Sequence, residues 1–221
     1  MIKLPNFEKA FEYENNYYLS CDNSRLGKFI AHYELFKMTV NLPGEIVECG
    51  VFKGSSLVRF AGFRNLFGNG PAKKIIAFDT FGGFPETGFE PDKKQRRKFI
   101  ADAGGQSISV SQLMRVLRHK GVGKGVELVV GDIIKTVPEY VRKNPRLKIS
   151  MLNLDVDIYE PAVTILEYLY PLIVPGGILI LDDYGVFPGE TKAADDYFQG
   201  KKIKINKFPF AKTPAYIIKA H

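Results

Sequence analysis

Residues 46–67 read IVECGVFKGSSLVRFAGFRNLF: a short apolar run, a loop with two glycines, and a longer amphipathic stretch. The run IVECG (46–50) is mostly apolar and β-branched, which is typical of a strand buried on both faces. Residues 55–67 are predicted to form the helix that follows. A strand that leads through a tight loop into a helix is the first half of a strand–helix–strand unit. This stretch therefore predicts a parallel α/β sheet.

The same alternation of short apolar runs and amphipathic stretches continues along the chain. Further strands are predicted at 74–79, 126–132, 148–155, 178–183, 202–208 and 215–220. Further helices are predicted at 109–120, 133–143, 160–173 and 190–199, with Pro-Gly loops at 43–44, 175–177 and 188–189. The pattern predicts an α/β fold with a doubly wound, mostly parallel seven-stranded sheet. We expect one domain over 1–221, with a helical lead-in at 1–44 whose clearest helix is 25–40.

One segment interrupts this rhythm. Residues 80–107 contain five glycines and two prolines and have no clean hydrophobic period. A connection of this length inside a compact domain is usually a lid or a binding loop. The alternative is a disordered surface insertion. Because it follows the second strand directly, the segment is predicted to act as a lid or insertion beside a ligand site.

Composition excludes several classes of protein. The chain has 221 residues, of which 45% are hydrophobic and 25% charged, as in an ordinary globular protein. Its two cysteines, Cys21 and Cys49, are too few for a disulfide scaffold. The N-terminus has no apolar signal-peptide stretch, and no window approaches the length of a membrane span. We therefore expect a cytoplasmic protein with no membrane association.

The net charge of +7 raises the question of nucleic-acid binding. The basic excess is confined to KKQRRK (93–98) and to six lysines in 201–221, so the rest of the chain is net acidic. A nucleic-acid interface usually shows a continuous basic stripe along one face. The distribution therefore argues against a nucleic-acid partner.

Carboxylates stand at the end of every predicted core strand: Glu48, Asp79, Asp132, Asp155 with Asp157, and Asp182 with Asp183. Ligands of open α/β sheets bind outside the carboxyl ends of the strands. Unpaired buried carboxylates are costly, so their convergence predicts ligands that are cationic or rich in hydroxyl groups.

The first strand and its loop form the spacing E-x-G-x-x-x-G from Glu48 to Gly54, which is neither a Walker A loop nor G-x-G-x-x-G. Glycines let a ligand approach the backbone, and the next helix offers free N–H groups. Glu48 at the entrance suits an ammonium group better than a phosphate. Asp79 is a candidate acceptor for a ribose diol, with a turn or cap role as the alternative.

Asp155, Asp182 and Asp183 would repel one another unless a cation lay among them. Oxygen ligands without His or Cys favour a hard ion, above all Mg²⁺. The alternative is that these acids pair with Lys or Arg, or cap turns. Asp157 is predicted to be a catalytic base, with a solvated loop acid as the alternative.

Five strings together resemble a class I S-adenosylmethionine-dependent methyltransferase. More closely, they resemble the macrocin O-methyltransferase family, which modifies sugar hydroxyls on antibiotics or their precursors. The strings, in the family's order, are PGEIVECGVFKGSS (43–56), FDTFGGFPE (78–86), GDIIKTVP (131–138), LDVDIYEPAVTILEYLYP (154–171) and PGGILILDDYG (175–185).

The resemblance implies S-adenosylmethionine as cofactor, Mg²⁺ or another hard divalent ion held by Asp155, Asp182 and Asp183, and Asp157 as the base. The implied cofactor-binding residues are Glu48, Gly50, Val51, Gly54, Ser55, Asp79, Thr80, Phe81, Gly131, Asp132 and Asp155. The implied partner is a small glycosyl or nucleotide-sugar acceptor, and a homo-oligomer is possible.

Two other functions stay open from the sequence. A catechol-type O-methyltransferase would use the same kind of metal site on a phenolic acceptor. Its base, however, is a Lys three residues after the first metal-binding acid, where this chain has Ile158. A binding module that keeps the cofactor but performs no chemistry is the second. The basic run at 93–98 is predicted either to attract an anionic acceptor or to form a solvated helix face.

Overall fold

The structure, a computed structural model, describes residues 2–67 and 73–220, so that Met1 and His221 of the predicted domain lie outside the described residues. A seven-stranded sheet forms its centre, in the order β3-β2-β1-β4-β5-β7-β6. The strands are β1 (Glu45–Cys49), β2 (Ile75–Asp79), β3 (Val126–Val130), β4 (Ile149–Leu154), β5 (Ile173–Leu181), β6 (Asn206–Lys207) and β7 (Ala215–Ile218).

The first five strands are parallel, and β7 pairs antiparallel with both β5 and β6. The strand order reverses between β1 and β4, which opens a crevice at the carboxyl ends of these two strands. The prediction of a doubly wound, mostly parallel seven-stranded sheet is confirmed.

Two strand predictions need correction. The predicted loop at 175–177 lies inside β5, because Gly176 N–H donates to Lys219 and Gly177 accepts from Lys219 across the antiparallel pair. The predicted strand 202–208 shrinks to two residues, Asn206–Lys207. Local composition did not indicate either result, since both depend on where β7 lies.

Eight α-helices and two short 3₁₀ turns (Phe7–Lys9 and Tyr170–Leu172) lie in the described part of the chain. The α-helices are α1 (Ala10–Ser20), α2 (Asn23–Thr39), α3 (Ser55–Phe67), α4 (Glu90–Ala103), α5 (Val110–His119), α6 (Ile133–Lys143), α7 (Tyr159–Tyr168) and α8 (Pro188–Phe198). Helices α3 and α6 have the predicted bounds, and the ends of α2, α5, α7 and α8 differ from prediction by a few residues.

Both faces of the sheet are covered by apolar layers. Because side chains alternate along a strand, Val47 joins the buried cluster with Ile165 of α7, and neighbouring Ile46 joins the cluster with Leu57 of α3 and Leu113 of α5. The strands therefore read as continuous apolar runs, as expected of a sheet buried on both faces.

Segment 80–107, for which no periodicity was found, contains the 14-residue helix α4. This helix has only one buried residue, Asp92, so it has no apolar stripe by which a hydrophobic period could reveal it. The basic run 93–98 lies on this helix, as the alternative of a solvated helix face requires.

Among the residues that the structure describes, no helix combines the length and the apolar character that a bilayer crossing requires.

Candidate active site

The loop after β1 approaches the end of β4 very closely. Gly50 has φ +91°, and a Cβ built on it would lie 1.7 Å from the Asp155 carbonyl oxygen. Gly54 has φ +85° and packs against Leu113 of α5. Phe52 also has a left-handed backbone, with φ +47°. The two glycines thus let the loop pass beside β4 and enter α3, whose first residue is Ser55.

Asp79, at the end of β2, holds this loop in place. Its Oδ2 accepts hydrogen bonds from the N–H groups of Val51 (2.8 Å) and Phe52 (3.1 Å), and its Oδ1 accepts from Phe81 N–H (2.6 Å). The carboxylate therefore makes the turn contacts expected under the alternative interpretation of this residue. Thr80 closes the same turn, since its hydroxyl donates to Gly83 O at 3.1 Å.

Glu48 lies near the carboxyl end of β1 and is fully buried. Its Oε1 accepts a hydrogen bond from the Ser56 hydroxyl, whereas its Oε2 has no partner in the structure. Burial raises the pKa of Glu48 to about 8, despite the bond from Ser56. An acceptor atom that is buried and unpartnered is one that a ligand's donor can satisfy.

Two predicted cofactor residues lie at the end of β3. Gly131 has φ +138° and donates its N–H to Asp79 O at 2.9 Å, which joins the β2 and β3 ends. Asp132 is exposed and caps α6, because its Oδ1 accepts from Ile134 N–H at 3.1 Å. The structure thus places the predicted cofactor residues along one edge, from β3 through β2 and β1 to β4.

Three carboxylates converge where β4 and β5 end. One oxygen each of Asp155, Asp157 and Asp183 lies within 4.8 Å of the others. Asp157 is buried and has a left-handed backbone with φ +64°, and the other two are half-buried. This φ is uncommon for a residue other than glycine, and it occurs where two neighbouring strand ends meet.

The pKa values of these three groups reflect burial and mutual repulsion. Burial and the charge of Asp155 raise the pKa of Asp157 to about 7. Burial and Asp182 raise the pKa of Asp155, and burial and Asp157 raise that of Asp183, both well above the usual range. The cluster therefore favours a cation over three separate negative charges.

Asp182, one of the three metal ligands expected from the sequence, does not lie in this group of carboxylates. Its side chain points toward α2, where its Oδ2 forms an ion pair with Lys28 and its Oδ1 contacts His32 Nε2 at 3.1 Å. Burial alone would raise the pKa of Asp182, but the Lys28 charge and the His32 bond outweigh it and lower the pKa. Two of the three expected ligands, Asp155 and Asp183, are therefore gathered together with Asp157.

The His32 ring is positioned from its other side by Arg59 of α3. Arg59 donates to His32 Nδ1 at 2.9 Å, and the ring stacks on Phe60 with centroids 5.0 Å apart. Burial lowers the pKa of His32, so the ring is neutral and its Nε2–H donates to Asp182. Lys28 and Arg59 were not predicted, because no local pattern indicates that α2 contacts Asp182 or that α3 contacts His32.

Glu190 is a further buried acid, which was not predicted from the sequence. It lies in the first turn of α8, and its Oε1 accepts from Asp183 N–H at 2.9 Å. Its Oε2 has no partner, and burial together with the charge of Asp183 raises its pKa well above the usual range. The only signal in the sequence was an acid seven positions after Asp183, at the start of a predicted helix.

The segment that contains α4 is fastened beside this edge. Asp92 accepts from the N–H groups of Tyr159 (3.0 Å) and Gly189 (2.7 Å), at the starts of α7 and α8. Glu160 accepts from the N–H groups of Gly88 (2.7 Å) and Phe89 (3.1 Å). Four backbone N–H donors thus hold the start of α4 close to the carboxylate cluster.

Aromatic rings connect α4 to the glycine loop. Phe99 of α4 lies 5.2 Å from Phe52, 5.6 Å from Phe84 and 6.0 Å from Phe187, measured between ring centroids. These rings come from the loop after β1, the segment after β2 and the segment after β5. They form an apolar wall over an edge that is otherwise rich in carboxylates.

The donor set of the cluster fits a hard divalent ion. All candidate ligands are carboxylate oxygens, three of them are already close together, and Glu190 Oε2 lacks a partner nearby. Oxygen-only sites with retained water are those that Mg²⁺ prefers.

The sheet order, the glycine loop after β1 and the edge of strand-end carboxylates define a class I methyltransferase fold. Residues 22–216 match the model of the macrocin O-methyltransferase (TylF) family. The chain therefore belongs to this family, as the sequence strings indicated.

Two curated relatives, both from Streptomyces, show moderate identity. The 8-demethyl-8-(2,3-dimethoxy-alpha-L-rhamnosyl)-tetracenomycin-C 4'-O-methyltransferase of Streptomyces olivaceus is 26% identical over 150 residues, which are 66% of this chain and 54% of that protein. The demethyldecarbamoylnovobiocin O-methyltransferase of Streptomyces niveus is 29% identical over 164 residues, which are 71% of this chain and 59% of that protein. The chain thus spans little more than half of their length.

Solved structures show the same fold. CalS11, a calicheamicin methyltransferase, superimposes with a TM-score of 0.72 at 27% identity, covering 94% of this chain and 84% of CalS11. CalS11, also solved in its apo form, is named there as a TDP-rhamnose 3'-O-methyltransferase. The O-methyltransferase NovP superimposes with a TM-score of 0.74 at 21% identity, covering 88% of this chain and 80% of NovP.

Proposed function

We propose that this chain binds S-adenosylmethionine and transfers its methyl group to a hydroxyl of a sugar, a glycoside or a nucleotide sugar, with the help of a divalent ion. Family membership supports the reaction, and the acceptors named for the relatives support the substrate class. The observation that carries the proposal is the close approach of Gly50 to the Asp155 carbonyl, because it brings the glycine loop, where the cofactor would bind, beside the carboxylate cluster.

The cofactor would lie along the edge from β3 to β4. Glu48, with its buried and unpartnered Oε2, is suited to accept from a ligand ammonium group. Gly50 and Gly54 keep the loop open. Helix α3 begins at Ser55, and the N–H groups of a first helical turn have no acceptor within the helix. Asp79 shapes the loop through Val51 and Phe52, whereas Asp132 and Gly131 border the far side.

Asp155 and Asp183 would hold Mg²⁺ or another hard divalent ion, with Asp182 as a further ligand when Oδ2 is not paired with Lys28. The bound ion would supply positive charge that stabilises the oxygen anion developing on the acceptor. An unactivated sugar hydroxyl is a very weak acid, so the reaction also needs a proton acceptor at the site.

Asp157 is suited to this task because its pKa, raised to about 7, lies near a neutral working pH. When bound, S-adenosylmethionine would supply an already activated methyl group. Asp157 would accept the proton that the acceptor hydroxyl loses. The aromatic wall at Phe99 and the fastened helix α4 would exclude water from the reacting groups and act as the lid.

Homo-oligomer formation is part of the proposal. Helix α1 has no buried residue, and Phe11, Tyr18 and Leu19 are among its most exposed side chains. An isolated helix of this length is marginal in water, so contact with another copy would stabilise it. Light scattering on the purified chain measures this directly, and a monomer at all concentrations would contradict it.

Two measurements test the proposed reaction. Calorimetry with S-adenosylmethionine tests cofactor binding, and transfer of a labelled methyl group tests chemistry on TDP-rhamnose, an alkyl rhamnoside and a catechol, each with Mg²⁺ and with EDTA. We expect transfer to a sugar acceptor that EDTA abolishes and Mg²⁺ restores. Transfer to the catechol alone would identify a catechol-type enzyme, and cofactor binding without transfer would indicate a binding module.

A further inference from the structure

Lys28 lies at the centre of the acidic edge although no sequence motif marks it. It comes from α2, one helical turn before His32, and the two side chains contact the two oxygens of the same Asp182 carboxylate. Asp182 is fully buried, whereas the Lys28 side chain keeps 20% of its exposure. The His32 contact fixes Oδ1, and the Lys28 contact occupies Oδ2.

The charge of Lys28 acts on more than one partner. Burial opposes its charged form, but Asp182, Asp155 and Asp183 together outweigh burial and raise the pKa of Lys28. The same group reduces repulsion at Asp157. His32 is neutral, and Arg59 bonds to His32 while its charge acts on Asp182 and Glu48 at longer range, so the positive charge in direct contact with Asp182 comes from Lys28.

We propose that Lys28 is a built-in counter-ion of the carboxylate cluster, and that it competes with the divalent ion for Asp182 Oδ2. This inference rests on the proposed metal site. It names a residue on α2 that sets how tightly the ion is held, in addition to the acids that would ligate it.

The geometry explains how the exchange would occur. His32, itself held by Arg59 and Phe60, would keep Asp182 oriented through Oδ1 while Oδ2 changes its partner. The Lys28 side chain is long, flexible and partly exposed, so its ammonium group can move into water without unfolding α2. An ammonium group and a divalent ion at the same carboxylate oxygen repel each other, so binding of the ion to Oδ2 must work against the Lys28 pairing.

Titration with Mn²⁺, followed by the electron paramagnetic resonance signal of the free ion, tests this without any turnover. Two variants remove the charge: Lys28→Met, and Lys28→Gln, which keeps a hydrogen-bond donor for Asp182. The matched control is Lys37→Met, because Lys37 lies on the same helix but is exposed and pairs with Glu34. Lys28→Arg keeps the charge, and circular dichroism confirms that each variant is folded.

We expect Lys28→Gln and Lys28→Met to bind Mn²⁺ about tenfold more tightly than the wild type. This change in affinity corresponds to about 1.4 kcal/mol of repulsion between the ammonium group and the ion. Lys37→Met and Lys28→Arg should stay within about twofold of the wild type on the same scale. We also expect added Mn²⁺ to raise the melting temperature of Lys28→Gln more than that of the wild type, since the ion then replaces a missing charge.

The outcomes separate the two proposals. Mn²⁺ binding of equal strength in the wild type, Lys28→Gln and Lys28→Met would overturn the counter-ion role and leave the metal site intact. Weaker binding in both variants would show that Lys28 supports the ion, which also overturns the inference. Absence of binding in all forms, including Lys28→Gln, would overturn the proposed metal site itself.

Discussion

The Oδ1 atom of Asp92 accepts a hydrogen bond from Gly189 N–H at 2.7 Å, which joins the first turn of α4 to the first turn of α8. A Cβ on Gly189 would lie 2.0 Å from Asp92 Oδ2, so no larger residue fits this contact without a shift. The bond to Tyr159 N–H joins the same carboxylate to α7. One buried carboxylate therefore fastens three helices beside the candidate active site.

Replacing Asp92 with Ala should lower the free energy of unfolding by about 2–4 kcal/mol, because two N–H groups, one buried and one half-buried, lose their acceptor. Urea unfolding measures this, and limited proteolysis should show earlier cleavage within α4. Asp102→Ala is the control, since Asp102 is exposed on the same helix. Equal stability of the two variants would show that α4 is held by other contacts.

The two central arginines of the basic run should differ in effect. Arg96 donates to the Pro85 carbonyl (2.6 Å) and the Phe84 carbonyl (3.0 Å) and pairs with Glu86, whereas Arg97 is exposed. We expect Arg96→Ser to lose about 1–3 kcal/mol of stability and Arg97→Ser less than about 0.5 kcal/mol. Urea unfolding of the matched pair decides this, and a larger loss in Arg97→Ser would contradict it.

The parallel sheet was predictable because its strands are buried on both faces and read as apolar runs. The carboxylates could be placed at one edge because parallel strands end together. Helix α4 was not predictable, since it buries Asp92 and almost no apolar surface. Lys28 and Arg59 were not predictable either, because Lys28 contacts Asp182 across the fold, Arg59 contacts His32 from another helix, and neither contact leaves a local pattern.

Asp157→Asn should lower the methyl transfer rate by about 10²–10⁴, the usual loss when a general base is removed. Binding of S-adenosylmethionine should not change, because Asn keeps the size of the side chain. Single-turnover rates and calorimetry measure the two effects, with Asp102→Asn as an exposed control. A rate within a few-fold of the wild type would assign the proton to another acceptor.

Glu48 should make the free energy of unfolding depend on pH. Its pKa is raised by burial from the ordinary 4.5 to about 8, so the folded chain holds this proton more tightly than the unfolded chain. The free energy of unfolding should therefore fall as pH rises from about 5 to 8, with a slope for this group of up to about 1.4 kcal/mol per pH unit.

Glu48→Gln should reduce this fall, because an amide does not titrate and its oxygen can still accept from Ser56. Urea unfolding at four pH values between 5 and 8 measures the slope. The control is Glu167→Gln, which changes an exposed acid on α7. A slope in Glu48→Gln as steep as in the control would show that Glu48 is ionised in the folded chain.

Two glycine substitutions should have opposite effects. Gly50→Ala would place a Cβ 1.7 Å from the Asp155 carbonyl oxygen, whereas a Cβ on Gly62 of α3 would meet no atom within 4 Å. We expect Gly50→Ala to lose more than about 3 kcal/mol of stability, and Gly62→Ala to gain up to about 1 kcal/mol. Thermal unfolding measures both, and a Gly50→Ala variant as stable as the wild type would contradict the close approach.

The position of β1 between β2 and β4 also affects how the chain is made. Val47 pairs with Ile76 on one side and with Leu152 on the other, and the ribosome synthesises Leu152 long after Ile76. During that interval β1, an interior strand of the finished sheet, has an open edge on the nascent chain. Unpaired strand edges attract other chains, so we expect chaperone contact with this segment to matter more during synthesis than the stability of the finished protein suggests.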